Sequence, residues 1–551
     1  MVRRAGGGDH EIVWIREEPI GGLMATKSAS THLDSGAVDK LLVLCEEVMR
    51  ATPAGAERFV EPAAGVLARA ISKQHHIVFG RRGSGKSSLL RKTEADLTID
   101  RRPVAFVDLE TFKGHTYPDV LISVLLSTLK AFATWIDNAA TSPASKTSFW
   151  RKIFGKAPSR PAFNKAATTN VRQELQNLIS DLEKQLHEAD AVQVQRKETV
   201  GDEVSNAVDG SLGASVSGLN VSVGAATAEK KAATTETSSA YVHQKLEYLH
   251  QHIMQYRDLF QKLSKLSGGP SFLILDDLYH IRKVDQPKVL DYFHRIAKGS
   301  NVWLKIGTIK HRSVWYVHGD PPIGMKENDD VKEINLDVSL EEFETLRKFL
   351  HSMLDDLTKE AGLRTSDVIK KSSVERLIIA SGGVARDFVG ILSKAISKAR
   401  NRPRGDGRRT HVGTEDVNNG TGDYFPSKQA ELKRDTADES EYLEAAFAHL
   451  RDFCLNDAKS NVFLVDQKLD GPRRDAINQL VDLRLIHPVR SRVTLKAQSQ
   501  GRLFEAYMLD LSQYSASRKV RGIRLVDLGP GTNQDIMRRA GLIYGGYDPD
   551  D

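Results

Sequence analysis

One run, Gly80-Arg-Arg-Gly-Ser-Gly-Lys86-Ser87, constrains the fold of this chain more than any other stretch. It matches G-x-x-x-x-G-K-[ST] and lies between a short apolar run, His76 to Phe79, and a helical pattern that begins at Ser88. Strand, glycine loop and helix in that order make a phosphate cradle. Glycine lets the backbone curl until its N–H groups point inward, and the helix N-terminus adds its positive dipole end. Gly80, Arg81, Arg82, Gly83, Ser84, Gly85, Lys86, Ser87 and Ser88 are therefore the expected nucleotide-binding residues. Lys86 is expected to reach the β- and γ-phosphates and Ser87 to ligate Mg²⁺.

A second run, Ser271-Phe-Leu-Ile-Leu-Asp276-Asp277, is an apolar strand ending in two carboxylates. Beside a phosphate loop, Asp276 is expected to hold the Mg²⁺ shell and Asp277 to orient or deprotonate the attacking water. Asp277 also reads as a helix cap, and Asp108 and Glu110, at the end of the strand Pro103 to Asp108, are rival water-activating acids. Thr308 stands just past the strand Val302 to Gly307, where a hydroxyl could sense the γ-phosphate. Arg312 is a candidate arginine finger for a neighbouring subunit, Arg295 competes with it, and a surface ion pair is the alternative for both. In Ala380-Ser-Gly-Gly-Val-Ala-Arg386, glycines end one helix and start another, putting Arg386 in a first turn from which it can swing over the nucleotide.

Strands at His76–Phe79, Pro103–Asp108, Ser271–Leu275, Val302–Gly307 and Val331–Leu336 alternate with helical patterns. Such alternation predicts an α/β fold with a mainly parallel sheet, helices on both faces and ligands at the carboxyl ends of the strands. Between the second and third strands the pattern changes. Val171, Leu175, Leu178 and Leu182, then Leu246, Leu249, Ile253, Tyr256, Phe260 and Leu263, follow 3-4 spacing and predict two helices packed together. Gly210 to Gly224 alternates apolar with small polar residues and predicts a hairpin between them.

In chain order these elements resemble the AAA+ superfamily of P-loop NTPases. The acidic pair stands for its metal and water site, the Val302–Thr308 strand for its sensor-one strand, and Arg386 for its sensor-two arginine. The resemblance covers roughly Phe59 to Arg400 outside the insertion and is greatest to the origin-recognition-complex branch and its prokaryotic relatives. It implies a parallel sheet sandwich with a helical lid, ATP and Mg²⁺ as ligands, ATP hydrolysis, and a homo-oligomer working as a nucleotide-driven switch or DNA-linked machine. A prokaryotic defence role falls within it. The chain departs from the family in having Asp277 where glutamate is usual, Thr308 where asparagine is commoner, and the insertion. The shortened acid leaves a weakly hydrolysing protein-assembly scaffold as the alternative.

The expected division is a disordered tail over 1–35, core over 36–139, insertion over 140–240, core over 241–338, lid over 339–402, linker over 403–435 and a winged-helix-like domain over 436–551. In the last, Arg473, Arg474, Arg490, Arg492, Lys496 and Arg502 crowd a helix and wing. They would neutralise DNA phosphates, unless the domain contacts protein instead. A net charge of +6 over 551 residues permits nucleic acid without arguing for it. Cys45 and Cys454, the two cysteines, carry no zinc or disulfide spacing and fit a reducing cytoplasm. The opening residues lack the apolar core of a signal peptide, and no apolar run is read as membrane-spanning. The sequence contains no H-E-x-x-H, no Cys/His cluster and no G-x-S-x-G, so any downstream effector is expected to be a partner protein.

Overall fold

Five short apolar strands pair side by side in one parallel sheet. They are β1 (His76–Phe79), β2 (Val104–Asp108), β3 (Ser271–Asp276), β4 (Val302–Thr308) and, after a small hairpin of β5 (Tyr316–Val317) and β6 (Ile323–Gly324), β7 (Lys332–Asn335). The order is β2-β3-β4-β1-β7, so β4 lies between the strand that feeds the phosphate loop and the strand that carries the acidic pair. The register sets Thr308 beside Phe79 and Asp108 beside Asp276, which gathers the chemistry-bearing residues at the carboxyl edge. The computed structural model describes residues 33–141, 163–186, 222–402, 410–435, 440–495, 502–515, 525–526 and 537–549. Every residue of β3 is buried, as expected of a strand covered on both faces.

Successive side chains on each strand feed opposite layers. Val78, Phe272 and Ile274 pack with α2 (Val66–Ile71) and α3 (Lys86–Ile99). Ile77, Leu273, Leu275 and Ile306 pack with α4 (Asp119–Thr141), α5 (165–186), α6 (Ser222–Ser267) and α7 (Gln286–Ala297). The two insertion helices bury Leu175, Leu178, Leu182, Tyr256, Phe260 and Leu263 and are bridged by the Lys262–Glu174 ion pair. They extend the second layer. The hairpin expected over Gly210–Gly224 lies outside the described residues except at its end, where α6 has already begun.

One long apolar helix goes unread in the sequence as a run of spanning length, and the linker expectation is corrected. Residues 119–139 of α4 are long and apolar enough to cross a membrane, with a mean hydropathy of 1.5 over the most apolar window. Two-thirds of that window is buried inside the fold, because α4 is pressed between the sheet and the insertion and needs apolar residues nearly all round. The scattered Ser, Thr and Lys residues of this segment hide that character from a search for unbroken apolar runs. The stretch expected as a linker, 403–435, is largely a helix, α11 (Thr414–Asp435), introduced below with its neighbours.

The helical unit that stands where the lid is expected consists of α8 (Phe343–Glu360), α9 (Lys371–Ala380), α10 (Ala385–Arg400) and α11. Turn-like residues in α11 conceal a buried stripe of Val417, Thr421, Tyr424, Lys428 and Leu432 at helical spacing. Gly420 is required there, since a Cβ would lie 2.8 Å from the Ala395 nitrogen of α10. The N-terminal α1 (Gly36–Val48) joins the lid rather than the sheet, burying Val38, Leu41 and Leu44 with Leu346 and Leu350. A C-terminal unit of α12 (Ser440–Asp452), β8 (Val462–Asp466), α13 (Gly471–Asp482), β9 (Ile486–Val493) and β10 (Phe504–Leu509) forms an antiparallel sheet in the order β8-β10-β9. Lid and C-terminal unit share one continuous hydrophobic core.

Candidate functional site

The loop leaving β1 curls through Gly83 (φ +76°) and Gly85 (φ +98°), left-handed conformations that favour glycine, and enters α3 at Lys86. Lys86 Nζ donates to the carbonyls of Gly80 at 2.9 Å and Arg81 at 3.3 Å, closing the loop around its own ammonium. The loop is also tied from outside. Arg81 N–H donates to both carboxylate oxygens of Asp337 at 2.9 and 3.0 Å, and Arg386 N–H donates to the Gly83 carbonyl at 3.2 Å. A Cβ at Gly83 would stand 2.7 Å from Cβ of Arg386, so the first turn of α10 lies directly against the loop.

A cleft of about 1350 Å³ opens between these elements, above the range of about 300–1,000 Å³ that accommodates most small ligands. Arg82, Gly83, Ser84, Gly85, Lys86, Ser87 and Ser88 line one wall; Arg386 and Val389 of α10 and Phe349 and Met353 of α8 line another. Glu110, Asp277, Tyr279 and His280 also line it, and the segment 46–62 closes the far end. That segment is strapped to the lid by Arg58, which pairs with Glu47 at 2.8 Å and with both oxygens of Glu360 at 2.8 and 3.0 Å.

Charge in the cleft is held against its preference for water. Burial pulls the Lys86 ammonium below its usual range, with Asp277 and Asp276 opposing the effect. Burial pushes the Asp276 carboxyl up to about 7; its neighbour Asp277 adds to the rise, and a hydrogen bond from Ser87 works against it. Asp277 is likewise raised by burial, with Lys86 and His280 opposing. Its backbone is left-handed at φ +58°, a conformation aspartate adopts more readily than most residues with a Cβ, and its N–H donates to Asp276 Oδ1 at 3.0 Å. Two acids and a lysine gathered at one spot, each with its charged form disfavoured by burial, form a pattern that clusters at functional sites.

The remaining sequence candidates fall elsewhere. Gly80 and Arg81 begin the loop without lining the cleft, and Asp276 sits behind Asp277 against Ser87. Thr308 is fully buried, its hydroxyl bonded to that of Ser313, and is not a lining residue. Arg312 is half-buried and acts electrostatically on Asp482 of the C-terminal unit, while Arg295 is half-exposed and lies 3.9 Å from Asp291. Asp108 accepts the Glu110 N–H at 3.0 Å, so it caps the turn that brings Glu110 to the cleft. Of the C-terminal arginines, Arg473 pairs with Asp548, Arg474 with Glu505 at 2.6 Å and Arg502 with Asp466 at 2.5 Å. Lys496 lies outside the described residues.

Sequence reasoning missed Asp337, which anchors Arg81, and Gly307, where a Cβ would stand 2.4 Å from Asp276 Oδ1 and 2.7 Å from Leu90 Cδ1. A glycine interrupting an apolar strand is a readable sign of close approach. Asp337 gives no such sign.

No family model and no curated protein matches the chain. Among solved structures it is similar to the Orc1 protein of Aeropyrum pernix in complex with DNA, at 13% identity, covering 88% of this chain and 92% of that one, with a TM-score of 0.29. At that TM-score the similarity assigns neither family nor function.

Proposed function

We propose that this chain is an ATPase of the AAA+ type, binding ATP with Mg²⁺ and hydrolysing it in the cleft between sheet and lid. The observation that carries this reading is convergence: a complete phosphate loop, a buried acidic pair on a parallel strand, and the N-terminal turn of a lid helix meet at one cleft. The candidate metal ligands, the Ser87 hydroxyl and Asp276 carboxylate, are hydrogen-bonded oxygens, the donor type Mg²⁺ takes. Bound Mg·ATP supplies the transferable phosphoryl group and the metal charge that stabilises it.

The chain's own residues then divide the work. Lys86 and Arg386 offer positive charge to the phosphates, and the N–H groups around Gly83 and Gly85 orient them. Asp276 and Ser87 position the metal. Asp277 accepts a proton from water, with Glu110 the second carboxylate lining the same cleft. Lid and C-terminal unit share a core, so nucleotide-driven lid movement would reach the C-terminal unit and serve a switch acting on a partner protein. We place this activity in a reducing cytoplasm and in a homo-oligomer; a prokaryotic defence setting and a DNA-linked one both fall within the family resemblance.

Two alternatives have their own observations. Asp277, short and left-handed, favours a slowly hydrolysing scaffold. DNA binding by the C-terminal unit is weakened, because Arg473, Arg474 and Arg502 are already paired with acids of the same unit. The deciding experiment is phosphate release from Mg·ATP by wild type and Lys86→Ala, with and without duplex DNA. The reading expects turnover that falls about 10²- to 10³-fold in the variant. Equal turnover in both proteins would refute it, and DNA stimulation of wild type would restore the DNA-linked role.

A further inference from the structure

The phosphate loop has a further support that comes from far along the chain. Arg484, fully buried between α13 and β9, donates through Nη1 to the carbonyl of Arg82 at 3.3 Å. Its guanidinium is held by Asp387 of α10, at 3.1 Å from Nε, and by Glu431 of α11, at 2.7 Å from Nη2. Asp387 also pairs at 2.9 Å with Lys428 of α11, which reaches Asp510 at 2.6 Å and the Arg484 carbonyl at 3.1 Å. Asp510 accepts from His487 Nε2 at 3.0 Å. The result is a connected set of charges, buried except for the partly exposed Glu431, drawn from the lid and the C-terminal unit and ending on the loop that curls around Lys86.

Stability alone does not account for such a set. Well-packed apolar residues of similar volume commonly serve as well as buried ion pairs or better. What charges provide is directional contact at defined points, and here those points are functional. Asp387 follows Arg386 directly in sequence, and Arg82 is itself a cleft residue whose guanidinium lies 5.5 Å from the ring centre of Tyr279. Three successive loop residues are fixed by three different elements: Arg81 N–H by Asp337, the Arg82 carbonyl by Arg484, and the Gly83 carbonyl by α10. Only the middle tie belongs to the C-terminal unit.

We propose that Arg484 is a positioning residue for the phosphate loop, through which nucleotide binding and docking of the C-terminal unit are coupled. The proposal rests on the nucleotide-site reading above. A docked Arg484 holds the loop in its curled form, so less ordering is left for the ligand to impose and affinity rises. Linkage makes this reciprocal: nucleotide must strengthen docking by the same factor, typically 5- to 150-fold for coupled sites.

Two measurements on the full chain test it. The first is equilibrium binding of a fluorescent ATP analogue to wild type and Arg484→Lys, a change that keeps the charge but loses the planar fork reaching Asp387, Glu431 and the carbonyl together. The second needs no variant: amide hydrogen exchange of residues 484–510 in wild type with and without the same analogue. We expect the variant's dissociation constant to rise at least about fivefold and exchange over 484–510 to slow about as much on binding. A merely structural Arg484 would lower the variant's melting temperature while leaving exchange at 484–510 indifferent to nucleotide. That indifference, or an affinity within twofold of wild type, overturns the coupling and leaves the nucleotide site standing. Failure of wild type to bind the analogue would remove the site and the coupling with it.

Discussion

The cleft and the junction behind it use the same kinds of side chain in opposite ways. In the cleft, Asp276 and Asp277 are raised and Lys86 is lowered, so each charged form is disfavoured and burial is the leading cause. In the junction, Asp387 and Asp510 are lowered and Lys428 and Arg484 raised, because opposite charges and hydrogen bonds outweigh a burial effect that acts the other way. Burial is near complete for Asp276 and Lys86 as it is for the four junction groups, with Asp277 only partly covered. The difference is partnership: junction charges stand within 2.6 to 3.1 Å of opposite ones, whereas cleft charges are crowded by like neighbours or lack enough opposite ones. One arrangement holds the structure together; the other is suited to a ligand that brings phosphate charge and a metal.

The sharpest way to break this comparison is to neutralise one acid from each set. Asp387→Asn leaves Lys428 and Arg484 buried with reduced compensation and is expected to lower unfolding free energy by about 3–5 kcal/mol, read as an earlier denaturant midpoint. Asp276→Asn is expected to do the reverse to stability, leaving it unchanged or higher, because the group it removes is disfavoured in its charged form. Its cost appears in phosphate release, with a drop of about 10²- to 10³-fold, equivalent to about 2.7–4 kcal/mol of barrier. If both variants lost stability alike, the two regions would not differ as described.

Gly307→Ala sharpens the cleft side. The added methyl would press on the Asp276 carboxylate and Leu90, a form of overpacking that costs about 1–3 kcal/mol. Because the nearest atom is Asp276 Oδ1, turnover is expected to fall further than thermal stability, and a variant that melts early while keeping normal turnover would show the glycine to be purely a packing residue.

The same contrast explains what was legible in the sequence. Short-range structure is legible: the curled glycine loop, the strands and the place of Arg386 in a first helical turn are specified within a few residues of chain, and the 3-4 spacing of Leu175, Leu178 and Leu182 matches the buried stripe of α5. Partnerships between distant segments are not. Nothing local marks Asp337 as the anchor of Arg81, or Arg484 as reaching Arg82, because each lies hundreds of residues from its partner and looks like an ordinary surface charge. The segment 414–435 was misread for a related reason. Its Gly420 and Pro426 look like turn residues, yet Gly420 is where α11 crosses closely over Ala395. The need for a small residue arises from a helix elsewhere in the chain.

Asp482 provides the smallest and most discriminating test, since it lies in the C-terminal unit yet behaves like a cleft acid. Burial pushes it up to about 7, Arg312 works against the rise, and its Oδ2 has no hydrogen-bond partner among the described residues. An acid raised in the folded state subtracts stability as pH rises: nothing is lost below its unfolded value near 3.8, the loss grows through the interval, and it is complete above about 7. The junction acids do the opposite, adding stability above the ordinary carboxylate range and losing it as pH falls. Wild type should therefore show a component of stability that declines between about pH 4 and 7, by at most roughly 1.4 kcal/mol per pH unit from this single proton. Asp482→Asn should flatten that component in denaturation midpoints measured across the interval, with the two proteins converging toward pH 4. A slope unchanged by the substitution would mean that Asp482 is satisfied by a partner, and that acids raised by burial belong to the cleft alone.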